Sequence, residues 1–145
     1  MKTTLTTGKA LEIFDGIATI IKGYEAIVPG PDGKDRAVPV AYKIDGQTTM
    51  RLRMNFKNLE TFAKSFEETR GDLIKRLANG GTELNAKANP NEFTEYLGEL
   101  NKMMADSHEV DIYRVDADKL TAKNDNMLPI LMKLGPILNE SALND

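Results

Sequence analysis

From Val40 to Leu77 apolar side chains return about every 3.6 residues, at Val40, Ala41, Ile44, Thr48, Leu52, Asn55, Leu59, Phe62, Phe66, Leu73 and Leu77. That is the period of one helix face, and Phe56, Ala63, Arg70 and Ile74 widen it. A hairpin is the rival reading for residues 40–56. AYKID would turn at Asp45-Gly46 and return as QTTMRLRMNF, where Thr48 to Asn55 alternates well enough for a strand. Local signals leave the two open. Residues 57–78 are helix on either reading; Gly71 alone interrupts them, and Asn79-Gly80-Gly81 ends them.

The same periodicity predicts a first helix over residues 7–27, capped by Thr6 or Thr7. Its face is Ala10, Leu11, Phe14, Ile17, Ala18 and Ile21, with Tyr24 at the margin. Residues 29–38 form a Pro/Gly-rich connector loop. Asp32-Gly33 is a good hairpin turn, so residues 25–29 are expected to pair with 36–41. Pro39 lacks an N–H and argues against a central strand there. Asn89-Pro90-Asn91-Glu92 starts a helix to about Ala105, burying Phe93, Tyr96, Leu97, Leu100 and Met104. Residues 110–115 alternate as a strand, and Asp118 to Leu120 makes one turn. A last helix starts near Asn126 to Pro129 and buries Leu128, Leu131, Leu134, Ile137 and Leu138, with Pro136 kinking or splitting it. The expected fold is a mostly α (or α+β) single domain, residues 1–145, with a long central helix and a minor β element near 110–115. Helices one and two lie antiparallel across the connector.

Charge is unevenly placed. Residues 29–56 carry five Lys/Arg against three Asp, and residues 80–145 twelve acids against six bases. Such asymmetry steers partners or pairs subunits head to tail. It is too sparse for a nucleic-acid footprint. The absence of cysteine excludes disulfides and thiol chemistry. No apolar run is long enough to span a membrane, and MKTTLTTGKALEIF has no secretory h-region.

Candidate chemistry is thin. His108 is the single histidine, expected in a surface turn among Asp106, Glu109 and Asp111. A metal site needs more ligands in fixed geometry. Asp116 and Asp118 are too few for a calcium loop. PGPDGKD is no phosphate loop, and a single His leaves little room for a triad. No enzyme, cofactor or metal is expected. Arg51 and Arg53, with Arg36, Lys43 and Lys57, share a face only on a strand; on a helix the first two point about 200° apart. Arg70 lies between Phe66 and Leu73, as a paired interface arginine or one extended outward along its helix.

The phrases LTTGKALEIF, PVAYKI, FEETRGDLIKRL, PNEFTEYLGEL, EVDIYRV and LPILMKLGPIL, in that order, span nearly the whole chain. The ordered set resembles a group of small, mostly helical, uncharacterised proteins of tailed bacteriophages. Val40, Ala41, Tyr42 and Ile44 match its best-kept phrase, and Phe66, Glu67, Arg70, Leu73 and Ile74 the next. The resemblance implies a phage origin and a size class; the group has no settled enzymatic role. It also implies that helix continues after PVAYKI, which tilts residues 40–56 towards helix. Asp45-Gly46-Gln47-Thr48-Thr49 departs from the pattern and marks a break or kink.

A helix over residues 40–78 would be roughly 60 Å long, against a radius of gyration near 15 Å for a compact chain of this size. Its apolar stripe would ask for a partner. The expectation is a phage accessory or assembly protein acting by self-association or by docking to a larger phage protein, in the host cytoplasm or the particle. The alternative is a phage-encoded inhibitor of a host factor such as a defence enzyme. The candidate surface is Tyr42, Arg51, Arg53, Leu59, Phe66 and Arg70, with the loop at 29–38.

Overall fold

The computed structural model describes residues 2–139. Their order is β1 (Lys2–Thr6), α1 (Thr7–Lys22), β2 (Tyr24–Pro29), β3 (Asp35–Val40), α2 (Gly46–Leu77), α3 (Pro90–Ala105), β4 (Ser107–Asp111), α4 (Ala117–Thr121), α5 (Leu128–Leu134) and a short 3₁₀ turn at Gly135–Ile137. The fold is α+β, with two antiparallel two-stranded sheets, β1–β4 and β2–β3, among the described residues.

Thr6 caps α1, its hydroxyl accepting the Lys9 N–H at 3.1 Å. Ala10, Ile13, Ile17 and Ile20 are buried, a face rotated from the expected one; Ile21 is exposed. The helix stops at Lys22 rather than residue 27 because Gly23 takes φ +80°. A Cβ there would sit 2.3 Å from the Val40 carbonyl oxygen, so only glycine fits. The chain turns into β2, and Tyr24 belongs to a strand. The expected hairpin is present, with Tyr24 opposite Val40 and Pro29 opposite Asp35.

Asp45-Gly46 is neither a hairpin turn nor a kink. It is the start of α2: Asp45 is extended (φ −65°, ψ 159°) and its carboxylate accepts the Thr48 N–H at 3.3 Å. Residues 41–45 therefore lie outside the helix, which has 32 residues and a length of about 48 Å. Thr48, Leu52, Asn55 and Leu59 are buried against α1, where Phe14 stacks on Phe56 with centroids 4.5 Å apart. Beyond Leu59 only Leu73 is buried; this second half packs against α3. The helix ends where Asn79 and Gly80 take positive φ and the Gly80 N–H reaches the Lys75 carbonyl at 2.7 Å.

Helix α3 has the expected bounds but not the expected burial. None of its residues is buried, Leu97 is exposed, and Asn89 makes no side-chain cap. The strand after it is Ser107–Asp111, not 110–115, because it pairs with an N-terminal strand that has little local signature. Residues 112–115 are extended and find other partners. The Tyr113 N–H donates to Asn55 Oδ1 at 2.7 Å, and Asn55 Nδ2 donates to the Tyr113 carbonyl at 2.8 Å. Val115 bridges Leu138 in parallel. Pro136 does end the last α-helix, leaving a 3₁₀ turn. Leu134, Ile137 and Leu138 are buried as expected; Leu128 is exposed, and Met127 and Ile130 fill the core instead. Gly16 lets α5 lie close: a Cβ there would be 3.0 Å from Leu134 Cδ2.

Candidate interaction surface

The six residues expected to form a surface do not lie together. Leu59 is 0% exposed within the core, so it is unavailable to a partner. It recurs with Leu52 because α1 covers both. Tyr42 is half-buried against that core, its ring 5.1 Å from Tyr24. Arg51 donates from Nη1 to the Arg114 carbonyl at 3.1 Å, tying α2 to the extended segment after β4. Arg53 is exposed and does not share its face, as helical geometry requires. Arg70 bonds Glu67 Oε2 through Nε at 3.3 Å and Nη2 at 2.9 Å. The bond to Glu67, then that to Tyr96, raises its pKa above the usual guanidinium value. Its partners lie on its own helix and on α3.

Phe66 does reach a recess. The second half of α2, α3 and the start of β4 enclose an open cleft of about 350 Å³ walled by Phe62, Phe66 and Met103. Thr61, Ser65 and Thr69 follow each other along its α2 side. His108 lies in this cleft, within β4 and half-buried, rather than in a surface turn. Its ring centroid is 5.0 Å from that of Phe62, and Nε2 is 2.9 Å from Thr7 Oγ1. Sequence proximity could not reveal this pair, whose members are 101 residues apart. Thr7 also points its hydroxyl at the Asp106 carbonyl at 3.4 Å, and its N–H donates to the same oxygen at 2.8 Å. The constellation joins the first turn of α1 to β4. Among the described residues no group of three His, Asp or Glu is placed to hold a metal ion. Asp116 is exposed and accepts a bond from Asn139 at 3.0 Å.

The feature that local patterning undervalued is the β2–β3 arm, residues 24–40. Its strands pair with each other and make no more than marginal contact with any other element. One face presents Tyr24, Ala26, Val28, Val38 and Val40, the other Ile27, Pro29, Ala37 and Pro39. None of these is buried, and Ile27 is 68% exposed. No family model, curated protein or solved structure matches this chain. The arm, the cleft and their charges are therefore read on their own chemistry.

The arm offers Ile27, Tyr24 and its valines as apolar surface, none of them buried. A two-stranded hairpin is marginal in water unless something covers its apolar face. The body supplies further uncovered side chains: Met50, Met54, Leu128 and Met132 are exposed. Among the described residues no helix is long and apolar enough to cross a membrane.

Proposed function

We propose that this protein is a non-enzymatic accessory or assembly protein of a tailed bacteriophage, acting in the infected host or the particle by contact with other proteins. It works by self-association or by docking to a larger phage protein. The phage origin rests on the ordered phrases that resemble the small phage proteins. The contact role rests on one observation, an arm with apolar residues on both faces, none of them buried and with no more than marginal contact to other elements. Contiguous exposed apolar surface marks a place where another molecule sits.

The working surface narrows accordingly, from the long helix and the loop at 29–38 to the arm that carries that loop. The stripe of α2 is satisfied largely by α1 and α3 of its own chain. Light-scattering mass on the pure protein, with affinity capture from phage-infected cells, tests this reading. It expects an oligomer, or one phage protein retained in fixed stoichiometry. A monomer that retains nothing overturns it, and a single host protein retained from uninfected lysate replaces it with inhibition of a host factor.

A further inference from the structure

We infer that two copies of this chain exchange their β2–β3 arms about a two-fold axis, each arm seated on the partner's α5. The inference rests on the protein-contact reading above and names the partner and the surface.

The receiving surface lies at the end from which the arm leaves. Helix α1 runs antiparallel to α2, since Phe14 stacks on Phe56 while Tyr24 meets Tyr42. It also runs antiparallel to α5: Gly16 lies against Leu134, and Tyr24 shares a recess with Asn124 and Asn126. The last turn of α1 and the first turn of α5 are therefore together beside the arm's root. There Ile21 is 39%, Leu128 68% and Met132 70% exposed. Leu128 and Met132 are four apart and share a helix face. The arm and an apolar seat for it thus belong to one chain, at one end, which is what an isologous contact requires.

Charge agrees with this seating. The arm face bearing Ile27, Pro29, Ala37 and Pro39 also carries Glu25 and Asp35, and no base. Around the seat exposed Lys22 and Lys123 stand against exposed Asp125, an excess of one positive charge. The opposite arm face carries Arg36 and no acid among Ala26, Val28, Val38 and Val40. It suits a second arm across the axis, with Arg36 over the partner's Tyr24 ring.

Size argues for reciprocity. Strands of six residues are about 20 Å long and a pair about 10 Å wide, so one arm face on a flat partner buries about 400 Å² in total. That is well short of the about 1,200 Å² at which specific interfaces begin. Two arm-on-body contacts and one arm-on-arm contact of that size reach about 1,200 Å². A single arm on an unrelated surface does not.

The chain has no cysteine, so single cysteines report contacts cleanly. Ile27→Cys on one tagged chain is mixed with Met132→Cys on another, and Thr94→Cys on α3 serves as the control partner. Exchange expects twice the 16.1 kDa chain mass at micromolar concentration and a mixed disulfide with Met132→Cys but not with the control. Ile27→Asp should give a monomer with unchanged helicity, since Ile27 is exposed in the single chain, and a melting temperature lowered only by the loss of the dimer. A wild-type monomer overturns exchange; if that monomer still retains a phage protein, the contact reading survives it. A dimer indifferent to Ile27→Asp overturns exchange and leaves self-association standing through another face. Wild-type monomers that bind anionic vesicles through Ile27, and no protein, overturn both.

Discussion

Replacing Asn55 tests how the core is held. Asn55 is 0% exposed, on the face of α2 that packs on α1, yet its amide is matched to the backbone of Tyr113 by bonds of 2.7 and 2.8 Å. It acts as one rung of a strand, so that the extended residues 112–115 are bonded without a neighbouring strand on that side. Asn55→Ala orphans one N–H and one carbonyl, at about 1–3 kcal/mol each. Tyr113 is 36% exposed, so water reaches part of the site and the lower half of that range applies. With the small cavity left behind, the expected loss is about 3 kcal/mol, a large share of a typical domain's stability. Urea unfolding followed by far-UV circular dichroism measures it. Asn55→Leu is the sharper variant. It fills the space with apolar volume but restores neither bond, so it should also lose about 2 kcal/mol or more. If Asn55→Leu lies within about 0.5 kcal/mol of wild type, the amide is merely tolerated and the rung argument is wrong. Asn55→Asp retains the acceptor for the Tyr113 N–H but turns an anionic oxygen towards its carbonyl. The folded state then favours the protonated acid, which can donate. Its pKa rises on folding, so the variant should be nearest wild type in acid and lose stability as pH rises through that pKa.

Two further outcomes follow from groups already described. The Thr48 hydrogen bonds hold the Asp45 carboxyl below its ordinary value of 3.8. A depressed folded pKa gives stability that is present above the unfolded value and lost as pH falls through the folded one. The melting temperature of wild type should therefore drop below about pH 4, and Asp45→Asn, which caps without titrating, should flatten that limb; parallel limbs refute the cap. Leu59→Asp should abolish folding, because it puts a charge at a fully buried position, whereas Phe66→Asp should leave a folded protein with an altered cleft. Circular dichroism on both checks this, and equal helicity in the two would contradict the burial difference.

What could be read from the chain was what its local chemistry specified. Asp32-Gly33 announced the arm, Asn79-Gly80 the end of α2, and Pro90 the start of α3, since each requires a backbone geometry few residues supply. The errors fall where the answer depends on distant residues. Strand β1 is KTTLT, with Leu5 as its one large apolar side chain; it is a strand because Ser107–Asp111 lies beside it. The register of β4 was missed for the same reason. In α1 nearly every position on one side is apolar, so periodicity fixed a helix but not which flank faces α5; Gly16 decides that by letting Leu134 approach. Asp45-Gly46 is chemically fit for both a turn and a helix start, and only the burial of Thr48 and Leu52 behind it selects the second. Among the candidate surface residues, Leu59 failed because an apolar position on a long helix is more often core than interface.

The long helix deserves a different weight from the one its length suggests. Its first half is a core element, buried at Thr48, Leu52, Asn55 and Leu59. Its second half is a ledge on which α3 rests without burying any of its own residues. Such a pair of half-covered helices carries about the apolar exposure ordinary for a surface, and its cleft is shallow and open to water. The arm is the opposite case. It carries apolar residues on both faces beside Glu25, Asp35 and Arg36, makes no more than marginal contact with any other element, and leaves strand edges unpaired on both sides. Keeping it exposed costs the isolated chain stability and solubility, a cost that a bound state would return. An uncovered apolar arm is thus a stronger sign of assembly than a rod, because a rod can be explained by its own neighbours and this arm cannot.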